Sequence, residues 1–448
     1  MLTALALVLL LSACRTYDYR PAQLACLDTL TTAAAPGSPA GPRFTGDILV
    51  SYRLDDLSTA ARTDSDLRQQ QALGVARTHG LNVVQHGNDA LPDLLRGAGM
   101  PSGELLEALR ADPRVDWAFP DFTVHTLEAV DCATDQWNIA DFGVPAAWGR
   151  GPGQHEVVVA VIDSGIDVDH PELKDAMLPG YNFEQMTDDP RPGEPLIDRH
   201  GTHVAGIIAA RGERITGVAG FPETIRVLPI RIFDDRGDSA NFSDLLRALH
   251  WAVGGDVSGA PPNPYPARVI NLSLGSQLPP FSELNKAVTE AVGTGAVIIA
   301  ASGNTGETVT DPSSGIFTPA NTDAALAIGS VDSDFTRSPF SMFGGPKPLT
   351  VLAPGGRGPA SCGTVLSTLP EAGYGCQGGT SMAAPFVSAS VALLLSHEPD
   401  LRPHQIEARL RAATHWDPSY MSAVQYGSGV LCTDRLLSGS NPEPADRC

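Results

Sequence analysis

Three short segments of the chain carry an Asp, a His and a Ser in settings that suit acyl-transfer chemistry. Asp163 ends the apolar run VAVID, His200 opens the run HGTHVAG, and Ser381 lies within GGTSMAAP. A serine hydroxyl is a weak nucleophile until a histidine takes its proton, and a carboxylate must hold that imidazole in the correct tautomer. Each segment alone could be an ordinary turn or helix start. Together they predict a serine-dependent acyl-transfer site.

A fourth segment could supply the remaining group that this chemistry needs. Asn304 follows an apolar strand in the run AASGNTG, where it could also be a turn residue before a glycine. A tetrahedral intermediate needs hydrogen-bond donors aimed at its developing oxyanion. The side-chain amide of Asn304 and the backbone N–H of Ser381 would form such a pair.

The elements around these residues predict an α/β fold. After residue 131 the chain alternates apolar strands with helices, which is typical of a parallel sheet with helices on both faces. In such sheets ligands bind at the carboxyl ends of the strands. The predicted strands are 156–162, 225–232, 267–272, 295–300 and 324–329, and the predicted helices are 203–210, 242–253, 282–293 and 381–397.

A smaller α+β region precedes this part of the chain and carries no cluster of catalytic groups. Strands are predicted at 47–52, 81–84 and 115–124, and helices at 64–79 and 102–110. We therefore predict four parts: a signal peptide over 1–14, a tether over 15–43 rich in Ala, Pro and Gly, a small domain over 44–127, and an enzyme domain over 130–440.

The N-terminus indicates export. Residues 2–13 form an apolar run that is shorter than the ~20 residues a membrane-spanning helix needs, and it ends in Leu-Ser-Ala-Cys14. This ending resembles a bacterial lipobox and predicts lipidation of Cys14 and an envelope or secreted location. Cleavage after Ala13, or a buried N-terminal helix, are the alternatives.

The six other cysteines favour disulfides in an exported chain. Cys362 and Cys376 are candidates for one bridge, whereas Cys26, Cys132, Cys432 and Cys448 allow three pairings. The sequence contains no CxxC pair, which argues against a thiolate zinc site.

Composition excludes two classes of function. Lys and Arg number 30 against 51 Asp and Glu, so the net charge is −21, which argues against a nucleic-acid partner. A hydrophobic content of 42% excludes a disordered chain. The membrane would be a partner only through the lipid on Cys14.

The motifs resemble those of the subtilisin-like serine proteases, the subtilases or peptidase family S8, over about residues 135–435. The order Asp163, His200, Ser381 and the runs VINLSLG at 269–275 and APGG at 353–356 carry this resemblance. The region 254–266 is similar to secreted Gram-negative members, and residues 46–125 resemble the inhibitor-like propeptide. The resemblance implies a three-layer α/β/α subtilisin-like domain. It also implies an exported endopeptidase, made as a zymogen that cleaves itself between Thr126 and Cys132.

The resemblance also implies roles for individual residues. Asp163 would orient the imidazole, His200 rather than His203 would be the general base, Ser381 the nucleophile and Asn304 the oxyanion donor. Substrate would bind along three segments: Ser273, Leu274 and Gly275; Ala301, Ser302 and Gly303; Gly237 and 240–242, which include Phe242. Protein or peptide substrates and the chain's own propeptide are the implied partners.

No cofactor is needed for the implied chemistry, although a structural Ca²⁺ ion is common in the family. Glu172 matches the position of a family Ca²⁺ ligand, and the acidic stretch 187–190 is a second oxygen-rich segment. Solvated surface loops are the alternative for both.

Two other functions compete with a serine protease. A metal-dependent hydrolase could use His200, His203 and Asp163 as ligands, and a binding protein could use an inactive protease scaffold. Asp234, Asp235 and Asp238 near the predicted cleft could favour basic substrates, or could simply be acidic surface.

Overall fold

The chain forms two compact units, residues 1–122 and 123–448, in a computed structural model. The structure describes residues 44–53, 65–87, 91–98, 102–124, 136–212, 214–221, 223–278, 281–304, 315–357, 364–419, 421–439 and 448. The predicted signal peptide, the tether and the cleavage segment lie outside these residues.

The first unit is a small antiparallel sheet with two helices. Its strands pair in the order β2-β3-β1-β4, and Ile48, Leu95, Leu109 and Val115 lie in its core. Ser102 caps the second helix, since its hydroxyl accepts a hydrogen bond from the N–H of Leu105 at 3.2 Å. The elements are β1 (Phe44–Tyr52), α1 (Ser65–His79), β2 (Asn82–Gln85), β3 (Asp93–Arg96), α2 (Gly103–Ala111) and β4 (Val115–Val124). The sequence analysis missed β3, a four-residue strand with a charged residue at each end.

The second unit is built on a nine-stranded, mostly parallel sheet. Its order is β15-β16-β12-β11-β10-β9-β5-β7-β6, and only the β15–β16 pair is antiparallel. Every residue of β5 is buried, as expected of a central parallel strand covered on both faces. The strands are β5 (Val157–Asp163), β6 (Tyr181–Asn182), β7 (Ile225–Arg231), β8 (Ala240–Asn241), β9 (Val269–Leu272), β10 (Val297–Ala301), β11 (Leu326–Val331), β12 (Val351–Pro354), β13 (Val365–Leu369), β14 (Gly373–Gln377), β15 (Thr414–His415) and β16 (Val430–Leu431).

Helices flank this sheet and give the predicted three-layer α/β/α fold. The helices are α3 (Trp137–Ala140), α4 (Val144–Trp148), α5 (His200–Ala209), α6 (Phe242–Ala252), α7 (Ser282–Gly293), α8 (Thr380–His397), α9 (Pro403–Ala412), α10 (Ala423–Tyr426) and α11 (Thr433–Ser438). Helix α5 packs against α8, and α6 packs against α7. Helix α8 is long and apolar enough to cross a membrane, but 94% of that stretch is buried inside the protein, as expected of a core helix.

An antiparallel hairpin, β13–β14, leads directly into α8 and was not predicted. It packs against α5 and contains Cys376, which is disulfide-bonded. Cys362, its predicted partner, lies outside the described residues, as do Cys14, Cys26 and Cys132.

One of the three open cysteine pairings is realised at the C-terminus. Cys432 and Cys448 form a disulfide that spans 16 residues. The bridge ties the last residue of the chain to the start of α11.

Candidate active site

Asp163 stands at the carboxyl end of β5, at the edge of the sheet where such sites are expected. Its side chain is buried, and its Oδ1 accepts hydrogen bonds from the backbone N–H of Ser164 at 2.8 Å and from Nδ1 of His200 at 2.7 Å. Because Oδ1 is an acceptor, Nδ1 must carry the proton, and that tautomer leaves Nε2 of the imidazole able to accept a proton.

His200 is the first residue of α5, three residues earlier than the predicted helix start. Its side chain is buried, and the two members of the Asp163–His200 pair lie 37 positions apart in the sequence. The sheet and the helix therefore bring together a carboxylate and an imidazole that the sequence predicted to cooperate.

His203 points away from this pair. Its Nε2 lies 3.0 Å from the carbonyl O of Val365 and 3.2 Å from that of Gly375, so the Nε2–H group donates hydrogen bonds to the β13–β14 hairpin. Burial, reinforced by the charge of His200, lowers the pKa of His203 to about 3 and keeps this imidazole neutral. The metal-hydrolase hypothesis fails here, because His203 does not converge with His200 and Asp163 on one point. Within the part of the chain that the structure describes, no group of three or more His, Cys, Asp or Glu could hold a metal ion.

Ser381 is buried in the first turn of α8, the helix that packs against α5. Its hydroxyl donates to the carbonyl O of Ser273 at 3.1 Å, while the hydroxyl of Ser273 donates to the carbonyl O of Ser381 at 2.8 Å. These two reciprocal bonds fix the start of α8 to the segment that follows β9. In a helix the first N–H groups have no intrahelical acceptor, so the Ser381 N–H is a suitable donor to an anion.

Asn304 is oriented by Thr380, the residue before Ser381. Its Oδ1 accepts hydrogen bonds from the N–H and from the hydroxyl of Thr380, at 3.1 and 3.0 Å. Because a backbone N–H can only donate, the oxygen of the amide must face Thr380, and the Nδ2 group faces the other way. Thr380 also receives a bond from the N–H of Gly303 at 3.2 Å. The sequence analysis missed this role of Thr380, although its place beside Ser381 in GGTSMAAP was a signal.

Two further residues near the pair were missed by the sequence analysis. Ser164 donates its hydroxyl hydrogen to Oδ1 of Asp198 at 2.5 Å and accepts the N–H of Gly201 at 3.1 Å. Asp198 is only 3% exposed. An Asp two residues before a helix that starts with His200 was visible in the sequence, but its contact with Ser164, 34 positions earlier, was not.

The predicted substrate segments lie close to these residues. Leu274, Ala301 and Ser302 are buried, and a Cβ at Gly275 would come 2.9 Å from the carbonyl O of Thr318. Gly303 has φ of +105°, and a Cβ there would overlap the Phe317 ring. These glycines are required by close packing.

The third predicted substrate segment, residues 240–242, contains a strand of only two residues. Ala240 and Asn241 form β8, whereas Phe242 begins α6 and its buried ring packs against Phe281, with centroids 5.1 Å apart. Phe242 therefore belongs to the core and does not extend the strand. Within residues 123–448, Val124 and Thr123 pair antiparallel with Ala240 and Asn241.

The acidic residues of the neighbouring loop serve mainly its own structure. Asp234 accepts hydrogen bonds from the N–H groups of Arg236 and Asp238, and Asp235 lies 2.6 Å from the guanidinium of Arg231. These contacts favour a structural explanation of the acidic cluster over selection of basic substrates.

The position predicted for a Ca²⁺ ligand is satisfied by hydrogen-bond donors. Oε1 of the buried Glu172 accepts from the N–H of Arg214 at 2.6 Å, the N–H of Ile215 at 3.3 Å and the hydroxyl of Tyr374 at 3.1 Å. Donor hydrogens converging on a carboxylate oxygen do not fit a bound cation. In the second segment, Asp189 pairs with Arg191 at 3.0 Å.

Comparisons with known proteins agree with this geometry. A profile of the subtilase family, Peptidase_S8, matches residues 154–430. An extracellular protease of Xanthomonas campestris pv. campestris is 32% identical over 367 residues, 75% of this chain and 61% of that protein. Subtilisin E of Bacillus subtilis (strain 168) is 33% identical over 329 residues, 73% of this chain and 76% of that protein.

A solved structure is also similar. A protease from Pseudoalteromonas arctica PAMC 21717 matches with a TM-score of 0.60 and 31% identity, covering 68% of this chain and 96% of that one. The chain belongs to the subtilase family of serine peptidases. The predicted family and fold class are thereby confirmed, while the assignment of roles to single residues stays a prediction.

Proposed function

We propose that this chain is an exported serine endopeptidase that hydrolyses peptide bonds in proteins through an acyl-enzyme. The observation that carries the proposal is the buried pair of Asp163 and His200, 2.7 Å apart, beside the packed helices that begin with His200 and Thr380. Membership of the subtilase family and its similarity to extracellular proteases support the same conclusion.

The residues divide the chemistry as follows. The Ser381 hydroxyl leaves the carbonyl of Ser273 and attacks the substrate carbonyl carbon, while Nε2 of His200 takes its proton. Asp163 holds Nδ1–H and stabilises the imidazolium. His200 then gives the proton to the leaving amine, and a water molecule hydrolyses the ester that remains on Ser381 by the same route.

The oxyanion would be stabilised by two donors. Thr380 holds Oδ1 of Asn304, which leaves Nδ2 free to donate to the oxyanion together with the N–H of Ser381. Donors that are already in place when charge develops lower the barrier most, because they need no reorganisation at that moment.

A Ser381→Ala variant tests the assignment of the nucleophile. The purified protein should hydrolyse casein and be labelled at Ser381 by a serine-directed phosphonate or sulfonyl fluoride. The variant should not be labelled, and its rate of casein hydrolysis should be at least ~10⁴-fold lower, as expected when the catalytic serine of a subtilase is removed. Hydrolysis that persists in Ser381→Ala would contradict the proposal. Because protein groups alone perform the proposed steps, activity should also persist in a chelator, and inhibition by the chelator alone would favour metal chemistry.

Residues 44–127 are proposed to act as an intramolecular inhibitor that is removed by self-cleavage. The first unit is compact in its own right, and the short ladder from Thr123–Val124 to Ala240–Asn241 supports occupation of the predicted substrate edge by the chain itself. N-terminal sequencing of active protein should find a start between residues 127 and 132. Pure Ser381→Ala protein should remain full length, and its processing would contradict self-cleavage.

The N-terminal sequence supports export with a lipid on Cys14. Mass spectrometry of unprocessed Ser381→Ala protein recovered from bacterial membranes should find a chain starting at a diacylated Cys14. Replacement by Ser should release the protein from the membrane without changing the specific activity of processed enzyme. A start of this unprocessed protein at any other residue would contradict lipidation.

A further inference from the structure

A second buried carboxyl group lies beside the Asp163–His200 pair. Asp198 is 3% exposed, and its Oδ1 lies 2.5 Å from the hydroxyl of Ser164. Its Oδ2 is buried and has no hydrogen-bond partner among the residues that the structure describes. Burial of a carboxyl oxygen without a partner is costly, so a group kept in this setting needs an explanation.

Ser164 connects Asp198 to Asp163 and to the first turn of α5, which begins with His200. Its backbone N–H binds Oδ1 of Asp163, the oxygen that also faces Nδ1 of His200. Its single hydroxyl hydrogen goes to Asp198, because a hydroxyl that accepts the N–H of Gly201 has only that hydrogen to give. Asp198 therefore orients the Ser164 hydroxyl that accepts from the first turn of α5, while the backbone N–H of the same residue holds Asp163.

The opposite side of Asp198 is closed by a turn. Gly237 has φ of +73°, and a Cβ there would lie 2.7 Å from Cγ of Asp198. The turn continues into β8. Within the turn, Asp234 accepts hydrogen bonds from the backbone N–H groups of Arg236 and Asp238.

The charged groups facing Asp198 are thus Asp163 from β5 and His200 from α5. Burial, together with the nearby charge of Asp163, raises the pKa of Asp198 to about 7, against the hydrogen bonds from Ser164 and from the backbone N–H of His200 and the charge of His200. Among the described residues, no Arg or Lys lies within ion-pair distance of Asp198.

We propose that Asp198 is a positioning residue of the peptidase site, which acts through Ser164 on the Asp163–His200 pair and, when ionised, stabilises the imidazolium that forms during catalysis. The proposal rests on the proposed function. It assigns Asp198 an effect on the transition state, so its loss should lower kcat and leave KM nearly unchanged. An uncharged isostere at position 198 should behave like the protonated acid.

The test compares Asp198→Asn with the wild type across pH 5–10, using active enzyme counted by phosphonate titration. We expect kcat to fall about tenfold in the variant with KM changed less than twofold. The wild type should show a step of the same size in kcat/KM, centred near pH 7, that the variant lacks. Asp169→Asn is the matched control, because Asp169 is exposed and pairs with Arg191 at 2.7 Å on the surface. It should keep the wild-type profile.

A second variant guards against misfolding. Ser164→Ala removes the hydroxyl that binds Asp198 but leaves the Asp198 carboxyl in place. It should therefore show the same fall in kcat and lack the step in kcat/KM near pH 7. Asp198→Asn and Ser164→Ala enzymes that both retain wild-type kcat and the step would overturn the inference while leaving the peptidase intact. A wild type that fails to hydrolyse casein, or a fully active Ser381→Ala, would remove the proposed function and the inference with it.

Discussion

Two buried carboxylates of the first unit, Asp47 and Asp112, and two of the second, Asp163 and Asp198, are held in opposite ways. In the first unit, Asp47 receives two bonds from the guanidinium of Arg96 at 2.6 and 2.7 Å, and Asp112 receives two from Arg114 at 2.9 and 2.6 Å. Paired, two-point contacts of this kind fix a carboxylate and keep it ionised. The guanidinium of Arg114 accordingly holds the pKa of Asp112 well below its ordinary value.

In the second unit the corresponding partners are neutral or weakly basic groups. Asp163 is bound by an imidazole and an amide, and Asp198 by a hydroxyl. Among the described residues neither has an Arg or Lys within ion-pair distance. A permanent cation would neutralise the carboxylate that must stabilise a transient imidazolium, so its absence suits a site that moves protons. The comparison predicts that Asp47 and Asp112 stabilise the fold, whereas Asp163 and Asp198 serve the proposed reaction.

The largest expected effect is on activity. Asp163→Asn should lower kcat about 10⁴-fold, as in other serine proteases, because the amide no longer favours the tautomer that carries its proton on Nδ1 of His200. The control change Asp169→Asn, at an exposed carboxylate of the second unit that pairs with Arg191, should leave kcat per titrated active site within twofold. Equal losses in the two variants would break the distinction between the two kinds of carboxylate.

Ionisation of Asp198 should lower the free energy of unfolding, whereas ionisation of Asp112 should raise it. A raised pKa means that the native state holds a proton which the unfolded state releases above about pH 4, so stability falls as pH rises from about 4 to 7. In a Ser381→Ala background, which prevents self-digestion, Asp198→Asn should remove this fall. We expect a gain of about 2–4 kcal/mol at pH 8 relative to pH 5, measured by denaturant unfolding. An unchanged pH dependence would show that ionisation at position 198 has no energetic cost.

Asp112 should show the opposite sign. Its lowered pKa contributes stability that is present above about pH 4 and is lost as pH falls further. Because Arg114 is partly exposed, solvent reduces the contribution, and we expect Asp112→Asn to cost about 1–2 kcal/mol at pH 7. Hydrogen exchange of the core amides of Leu95 and Leu109 should report the loss, and the variant should converge with the parent below pH 4. A difference independent of pH would assign the effect to packing.

The sequence predicted the parts of the site that depend on local pattern. The apolar run before Asp163, the small residues after His200 and the glycines before Ser381 each specify a strand end or a helix start by themselves. The pairing of Asp163 with His200 followed, because parallel strands and their crossover helices bring such ends to one edge.

The missed features depend on tertiary contacts. The bond from Ser164 to Asp198 and the hold of Thr380 on Asn304 join residues 34 and 76 positions apart. Strand β3 and the hairpin β13–β14 are short and contain polar or glycine residues, so their pairing is decided by neighbours and not by hydrophobic period. Phe242 was placed on the substrate edge as well as at the start of the predicted helix 242–253; the structure begins α6 at this residue and buries its ring against Phe281.

The smallest expected effect concerns the histidine that the site does not use. His203 stays neutral in the folded protein because burial lowers its pKa to about 3, whereas the unfolded chain takes up a proton below about pH 6.5. Stability from this residue is therefore present above pH 6.5 and is lost as pH falls towards 3. His203→Gln keeps a donor for the carbonyls of Val365 and Gly375 and cannot be protonated. In the Ser381→Ala background it should reduce the loss of unfolding free energy between pH 7.5 and 5.7 by about 1 kcal/mol. In otherwise active enzyme the same change should lower kcat less than threefold, whereas His200→Ala should abolish activity. A His203→Gln enzyme as inactive as His200→Ala would mean that the reaction also depends on the histidine that binds the hairpin. It would contradict the distinction between residues that react and residues that stabilise the fold.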